Sequence, residues 1–223
     1  MKNHNRGFEA EYFLFARKWR PLLMICLLAA ICTANYFLSL SLWQAAILLG
    51  PILCFAVLIF MDYFVFSGFN SRTSIGMDLV KSSLKGRMII KKALEQDIVN
   101  KTFFVLTGSA SAFVFVLRNH PEVDLLFLIF FTIGGFSTTH ILLHLILLID
   151  RSKGLTMQAH VFICYLSYSL GTVIFLPAVF ISETMSLLFM IIYSVVTTAL
   201  GIFTGIILIR SCMKAYDSCF HDV

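Results

Sequence analysis

Charge is what this sequence has least of. Asp, Glu, Lys and Arg make up 13% of its 223 residues, about half the ~25% share of a soluble domain. A hydrophobic fraction of 59% takes their place. It is gathered into several apolar runs of about twenty residues, the length that crosses a hydrocarbon layer. The scarcity of charge excludes an ordinary soluble globule and points to an integral membrane protein.

Other absences narrow the field. No Gly-x-x-x-x-Gly-Lys-Ser/Thr run occurs, so the chain has no phosphate-cradling loop of its own. The nearest approach, LKGRM at 84–88, has neither the spacing nor a preceding strand. The six cysteines form no Cys-x-x-Cys pair. Cys26, Cys32, Cys54 and Cys164 fall in apolar runs and read as small buried hydrophobes. Cys212 and Cys219 fall in the C-terminal tail, and no disulfide framework is expected. No repeat, low-complexity tract or separate soluble domain is visible. Neither a cofactor nor catalysis by this chain is expected.

What is present reads as an all-α membrane protein of six transmembrane helices, at about 21–40, 42–66, 102–118, 125–149, 159–181 and 185–209. Tight links near Ser39–Ser41, at RNHPEVD and near Ser182–Thr184 make antiparallel pairs. The expected organisation is a leader (1–20), a transmembrane hairpin (21–67), a basic amphipathic segment (68–101), spans three to six (102–209) and a tail (210–223). The leader, FEAEYFLFARKWR in its second half, mixes aromatics with charge as an interfacial helix does. Glu9 and Glu11, with the long apolar run that follows, favour an uncleaved first span over a signal peptide.

Positive charge orients the set. Of seventeen Lys and Arg residues, the six-span arrangement puts all but Arg118 on one side. The positive-inside rule makes that side cytoplasmic, with both termini there, and a bacterial inner membrane is the expected setting. The net charge of +5 is then a topology signal with some attraction to anionic lipid, not a nucleic-acid footprint.

The basic segment carries seven of those seventeen charges. Wound as a helix from Ile75 to Lys85, it sets Ile75, Met77, Leu79, Val80 and Leu84 on an apolar arc, with Asp78, Lys81 and Lys85 opposite. Gly76 stands near its start and Gly86 just past its end, where a left-handed residue would stop it. Two readings fit: a solvated linker that fixes topology, or a docking element for a cytoplasmic partner.

The run RTSIGMDLVKSSLKGRMIIKKAL resembles the segment after the second span in type 2 ABC-transporter permeases. Gly76, Leu79, Val80, Ser82, Ser83, Arg87, Ile89, Ile90 and Lys92 fall in corresponding places. The amphipathic leader, six spans and basic end (IRSCMKAYD) are similar in outline. Asn70, Ser71 and Arg72 stand where the family has an acidic residue, and Leu84 stands where it often has Pro. The resemblance implies a permease subunit of an exporter, paired with a second permease subunit and driven by a separate cytoplasmic ATPase subunit. Its docking residues would be Gly76, Leu79, Val80, Ser83, Leu84, Gly86 and Arg87.

A second polar signal lies in the fourth run, STTHILLHLILLID. His140 and His144, four residues apart, share one helix face. Beside Ser137, Thr138 and Thr139 they read first as interhelical hydrogen-bonding groups. They are also candidates for a polar substrate path, or for a metal site completed by His160 and Asp150. Asp62 is expected at the membrane edge, and Glu183 in a solvated turn. Pro51, Pro177 and Gly134–Gly135 are places where helices bend or thin. Three functions remain: an exporter permease, a membrane-embedded enzyme using His140 and His144, and a small immunity or exclusion protein that binds another membrane protein.

Cysteine-labelling in intact cells tests the orientation. Residues 1–20, 70–100 and 210–223 should be protected from an impermeant reagent, and 119–123 should react. Labelling from outside near Lys91 would overturn the arrangement.

Overall fold

The computed structural model describes residues 20–41, 43–66, 85–153 and 187–218, together with Phe162 and Leu166. Five helices make up nearly all of them: α1 (Arg20–Ser41), α2 (Trp43–Phe66), α3 (Gly86–Asn119), α4 (Leu125–Lys153) and α5 (Leu187–Ser218). No strand occurs among the described residues. Inside a bilayer no water is at hand for backbone groups, so each N–H must find a carbonyl within its own segment. Leu22–Ser41, Gly86–Asn119, Leu125–Ile149 and Leu187–Lys214 are long and apolar enough to cross a membrane. α2 adds a shorter apolar stretch, Trp43–Ile59. This is the build of an integral membrane protein.

The runs read at 21–40, 42–66, 125–149 and 185–209 fall largely on α1, α2, α4 and α5. The run at 159–181 (apart from Phe162 and Leu166), the leader before residue 20 and the amphipathic helix at 75–85 lie outside the described residues, save for Lys85. The left-handed stop expected at Gly86 is replaced by a helix start. Lys85, with φ −99° and ψ 1°, leads into α3, and Gly86 is its first, buried residue. The end of the basic segment and the third apolar run are therefore one unbroken helix of 34 residues. At 1.5 Å per residue it is about 51 Å long, against about 30 Å of hydrocarbon. Roughly its first fourteen residues extend past the apolar layer on the basic side.

α3 is the hub. It packs against each of the other four described helices, while α4 and α5 share the most extensive contact of any pair. Its buried stripe, Ile90, Leu94, Asp97, Lys101, Val105 and Gly108, advances in steps of three and four, the spacing that keeps one helix face inward. Two of those six are charged.

Small residues set the distances between α1, α2 and α3. Asn35 of α1 is fully buried, and its amide donates to Gly108 O at 3.0 Å and to Ser111 Oγ at 2.8 Å on α3. α2 crosses directly over it. A Cβ on Gly50 would stand 2.5 Å from Asn35 Oδ1, and one on Gly108 would stand 2.2 Å from Cys54 Sγ. Next to Gly50, Pro51 sits inside α2 and has no N–H to give to Ile47 O, four residues back. That carbonyl is the atom nearest to the Cβ position of Gly135 on α4, at 3.5 Å.

Overpacking at the α2–α3 contact tests this geometry. Gly108→Ala should cost about 1–3 kcal/mol of stability. Adding Cys54→Ala, which removes the sulfur that the new methyl group meets, should restore most of the loss. Thermal unfolding of the parent, the two single variants and the double variant in detergent reads it, and a Gly108→Ala protein as stable as the parent would contradict the close approach.

Candidate functional site

Polar side chains gather where α4 faces α3 and α5. His140 and His144 are both buried on α4, with ring centroids 5.7 Å apart in an edge-to-face arrangement. His140 Nδ1 lies 3.2 Å from Phe136 O, an acceptor, so this nitrogen carries the proton. Its Nε2 lies 3.1 Å from Thr102 Oγ1 of α3 and accepts from that hydroxyl. The neutral ring thereby satisfies both of its nitrogens, and the Phe136 ring lies against it at 4.4 Å. His144 Nδ1 lies 3.2 Å from Thr204 Oγ1 of α5. Thr204 spends its own proton on Gly201 O at 3.0 Å, which makes His144 the donor.

The seam continues along α4 and α5. Ser137 pairs with Thr198 at 2.9 Å, and Thr138 with the Tyr193 hydroxyl at 2.6 Å. Glycines let the helices come this close. A Cβ on Gly205 would stand 3.1 Å from His144 Cε1, and one on Gly134 would stand 2.3 Å from the Tyr193 ring. Gly201 lies against Ser137 O and His140 Cβ. Gly201 and Gly205 form a Gly-x-x-x-Gly pair, the spacing that lines one helix face with backbone and favours close packing in a membrane.

One residue before Thr102, a buried ion pair lies on α3. Lys101 Nζ donates to Asp97 Oδ2, and the two side chains are only 2% and 0% exposed. Lys101 stands eighteen residues from Asn119, about 27 Å along the axis. His140 stands fifteen residues from Leu125, about 22 Å. Ion pair and histidines therefore lie at similar depth, near the edge of the apolar layer on the basic side. A buried charge is tolerated only when it is paired and hydrogen-bonded, so Asp97 and Lys101 are committed to the interior of the bundle rather than to water.

Of the residues singled out from sequence, the structure brings His140 and His144 together. Gly86 is buried at the start of α3, and Arg87, next to it, is exposed. Gly76, Leu79, Val80, Ser83 and Leu84 lie outside the described residues, as do His160 and the side chain of Asp150. Among the described residues no group of three or more His, Cys, Asp or Glu side chains is placed to hold a metal ion. Sequence reading missed the Asp97–Lys101 pair, counting Lys101 with the basic segment. The available signal was the continuity of Ile90, Leu94, Asp97, Lys101 and Val105 as one helical face. The Gly201–Gly205 pair was also open to reading.

The ion pair makes a sharp energetic prediction. Lys101→Met leaves a carboxylate buried without its ammonium partner and should cost about 3–5 kcal/mol. The double variant Asp97→Leu, Lys101→Met removes both charges and should be closer to the parent than the single variant. Thermal unfolding in detergent distinguishes them, and a double variant worse than the single one would contradict the pairing. Comparison with protein families, characterised proteins and solved structures finds no match, so the seam is read from its own chemistry.

Proposed function

We propose that the chain is the membrane-spanning permease subunit of an ABC-type exporter. In this reading six spans with cytoplasmic termini sit in a bacterial inner membrane. The chain pairs with a second permease subunit and moves a hydrophobic or amphiphilic substrate, a peptide, lipid or drug. Energy comes from a separate ATPase subunit that engages residues 71–92.

The observation that carries this reading is the continuity of α3. A 34-residue helix begins within the basic segment, runs on into the apolar layer and packs against every other described helix. Helices are stiff over this length, so a displacement at Arg87 is delivered to Thr102 and through it to His140. The polar seam then serves as the element that shifts, because hydroxyl–imidazole contacts between helices are each worth only about 1 kcal/mol and exchange partners at small cost. His140 and His144 act in this reading as positioning groups on a polar path.

Docking of a partner is expected to concentrate in a few apolar or Arg anchors. Leu79→Asp and Arg87→Glu should each abolish co-purification with the ATPase encoded nearest to this chain and its transport-dependent ATP hydrolysis, at unchanged expression. Full binding and activity in both variants would make the segment a topology-setting linker and favour a chain that acts by binding another membrane protein.

A further inference from the structure

The end of the bundle away from the basic segment holds a contact that the permease reading does not use. α3 ends at Asn119, and His120 follows with its backbone N–H bonded to Val116 O at 2.8 Å. Its imidazole reaches across to the last turn of α1. Nε2 lies 2.7 Å from the carbonyl oxygen of Ser39, and Nδ1 lies 2.9 Å from Glu122 Oε1. A carbonyl oxygen and an ionised carboxylate are both acceptors only. Each ring nitrogen must therefore carry a proton for both contacts to hold. We propose that His120 is a proton-dependent latch, closed as the imidazolium, that ties the α3–α4 turn to the corner between α1 and α2.

The surroundings favour this role. The imidazole is partly exposed and Glu122 is two-thirds exposed (67%), so protons reach both from solvent. Among the described residues the other charges at this end are Arg118, which is exposed, and Asp124. The Asp124 carboxylate is occupied in accepting from Phe127 N–H at 2.9 Å, capping α4. On the facing elements, residues 36–41 and 43–48 contain no Asp, Glu, Lys, Arg or His, and Tyr36 is their one titratable group. A second tie, Asn119 Nδ2 to Ser39 Oγ at 2.8 Å, involves no titrating group and persists when the latch opens.

A ring that gives up one proton must turn a lone pair toward either the Ser39 carbonyl or the Glu122 carboxylate. Glu122 is the partner that water can take over, so release begins at the turn. The carboxyl of Glu122 is held below the ordinary carboxylate range by its own backbone N–H and by His120. Its contribution is thus present above that range and lost only as the pH falls through the lowered value. Loss of either ring proton opens the latch from the other side, because one of the two acceptors then faces a lone pair.

A double-mutant cycle on the full chain in detergent tests the latch, with His120→Gln, Glu122→Gln and both, at about pH 5.5 and about pH 8. At the lower pH each single variant should lower the melting temperature by about 2–4 °C, and the double variant should add little to either. At the higher pH the coupling should vanish, while Asn119→Ala should lower the melting temperature equally at both. Where His120→Gln does not fold, Glu122→Gln alone decides, since it must flatten the pH dependence of the parent. Coupling that is absent at both pH values or unchanged between them, or a Glu122→Gln profile parallel to the parent, overturns the proposal.

Discussion

A polar group buried in an apolar bundle is costly unless it finds a partner within the protein, because the hydrocarbon around it offers none. That constraint explains the seam more fully than any single contact does. His140 adopts the tautomer that gives a proton to Phe136 O and takes one from Thr102. Thr204 gives its proton to Gly201 O and is left to accept from His144. Lys101 is matched by Asp97 one helical turn away. Gly201, Gly205 and Gly134 are required by the same logic, since each clears the space in which a polar contact between α4 and α5 closes.

The hub position of α3 follows from its length and from what it carries. A helix of 34 residues outreaches the apolar layer, so it has surface to offer on both sides of the membrane edge. Its buried stripe changes character along the way, from Ile90 and Leu94 through the Asp97–Lys101 pair to Gly108, where Asn35 bonds the backbone of α3 directly. A helix tethered by side chains at one level and by backbone at another is fixed in rotation as well as position. Turning it by one residue would bring Asp97 out of its pocket and break the Asn35 contact together.

Legibility in the sequence was uneven, for physical reasons. Apolar runs announce themselves because hydrophobicity over about twenty residues is a strong signal, and α1, α2, α4 and α5 fall close to the runs read for them. The third run, at 102–118, leaves out Asp97 and Lys101, which look like solvated charges when counted singly. They belong to the interior only as a pair, and pairing is a property of the folded face. His140 and His144 were visible as one face of a helix, but their partners Thr102 and Thr204 come from 38 and 60 residues away, and no local pattern names them. The role of Asn35 was out of reach for the same reason. Gly86 failed differently: a glycine after an amphipathic stretch reads equally as a stop or a start, and here the following helix claims it.

A single residue separates α1 from α2, and this bears on how the chain enters the bilayer. Two helices joined that closely and packed on each other make a hairpin with Ser39 and Ser41 at its tip. That tip carries no charge. Under the orientation that the positive charges favour, inserting this hairpin would carry nothing ionised through hydrocarbon. The α3–α4 turn, by contrast, would carry Arg118, Glu122 and Asp124. The carbonyl of Ser39 at the uncharged tip is the acceptor that His120, on the charged turn, meets at 2.7 Å.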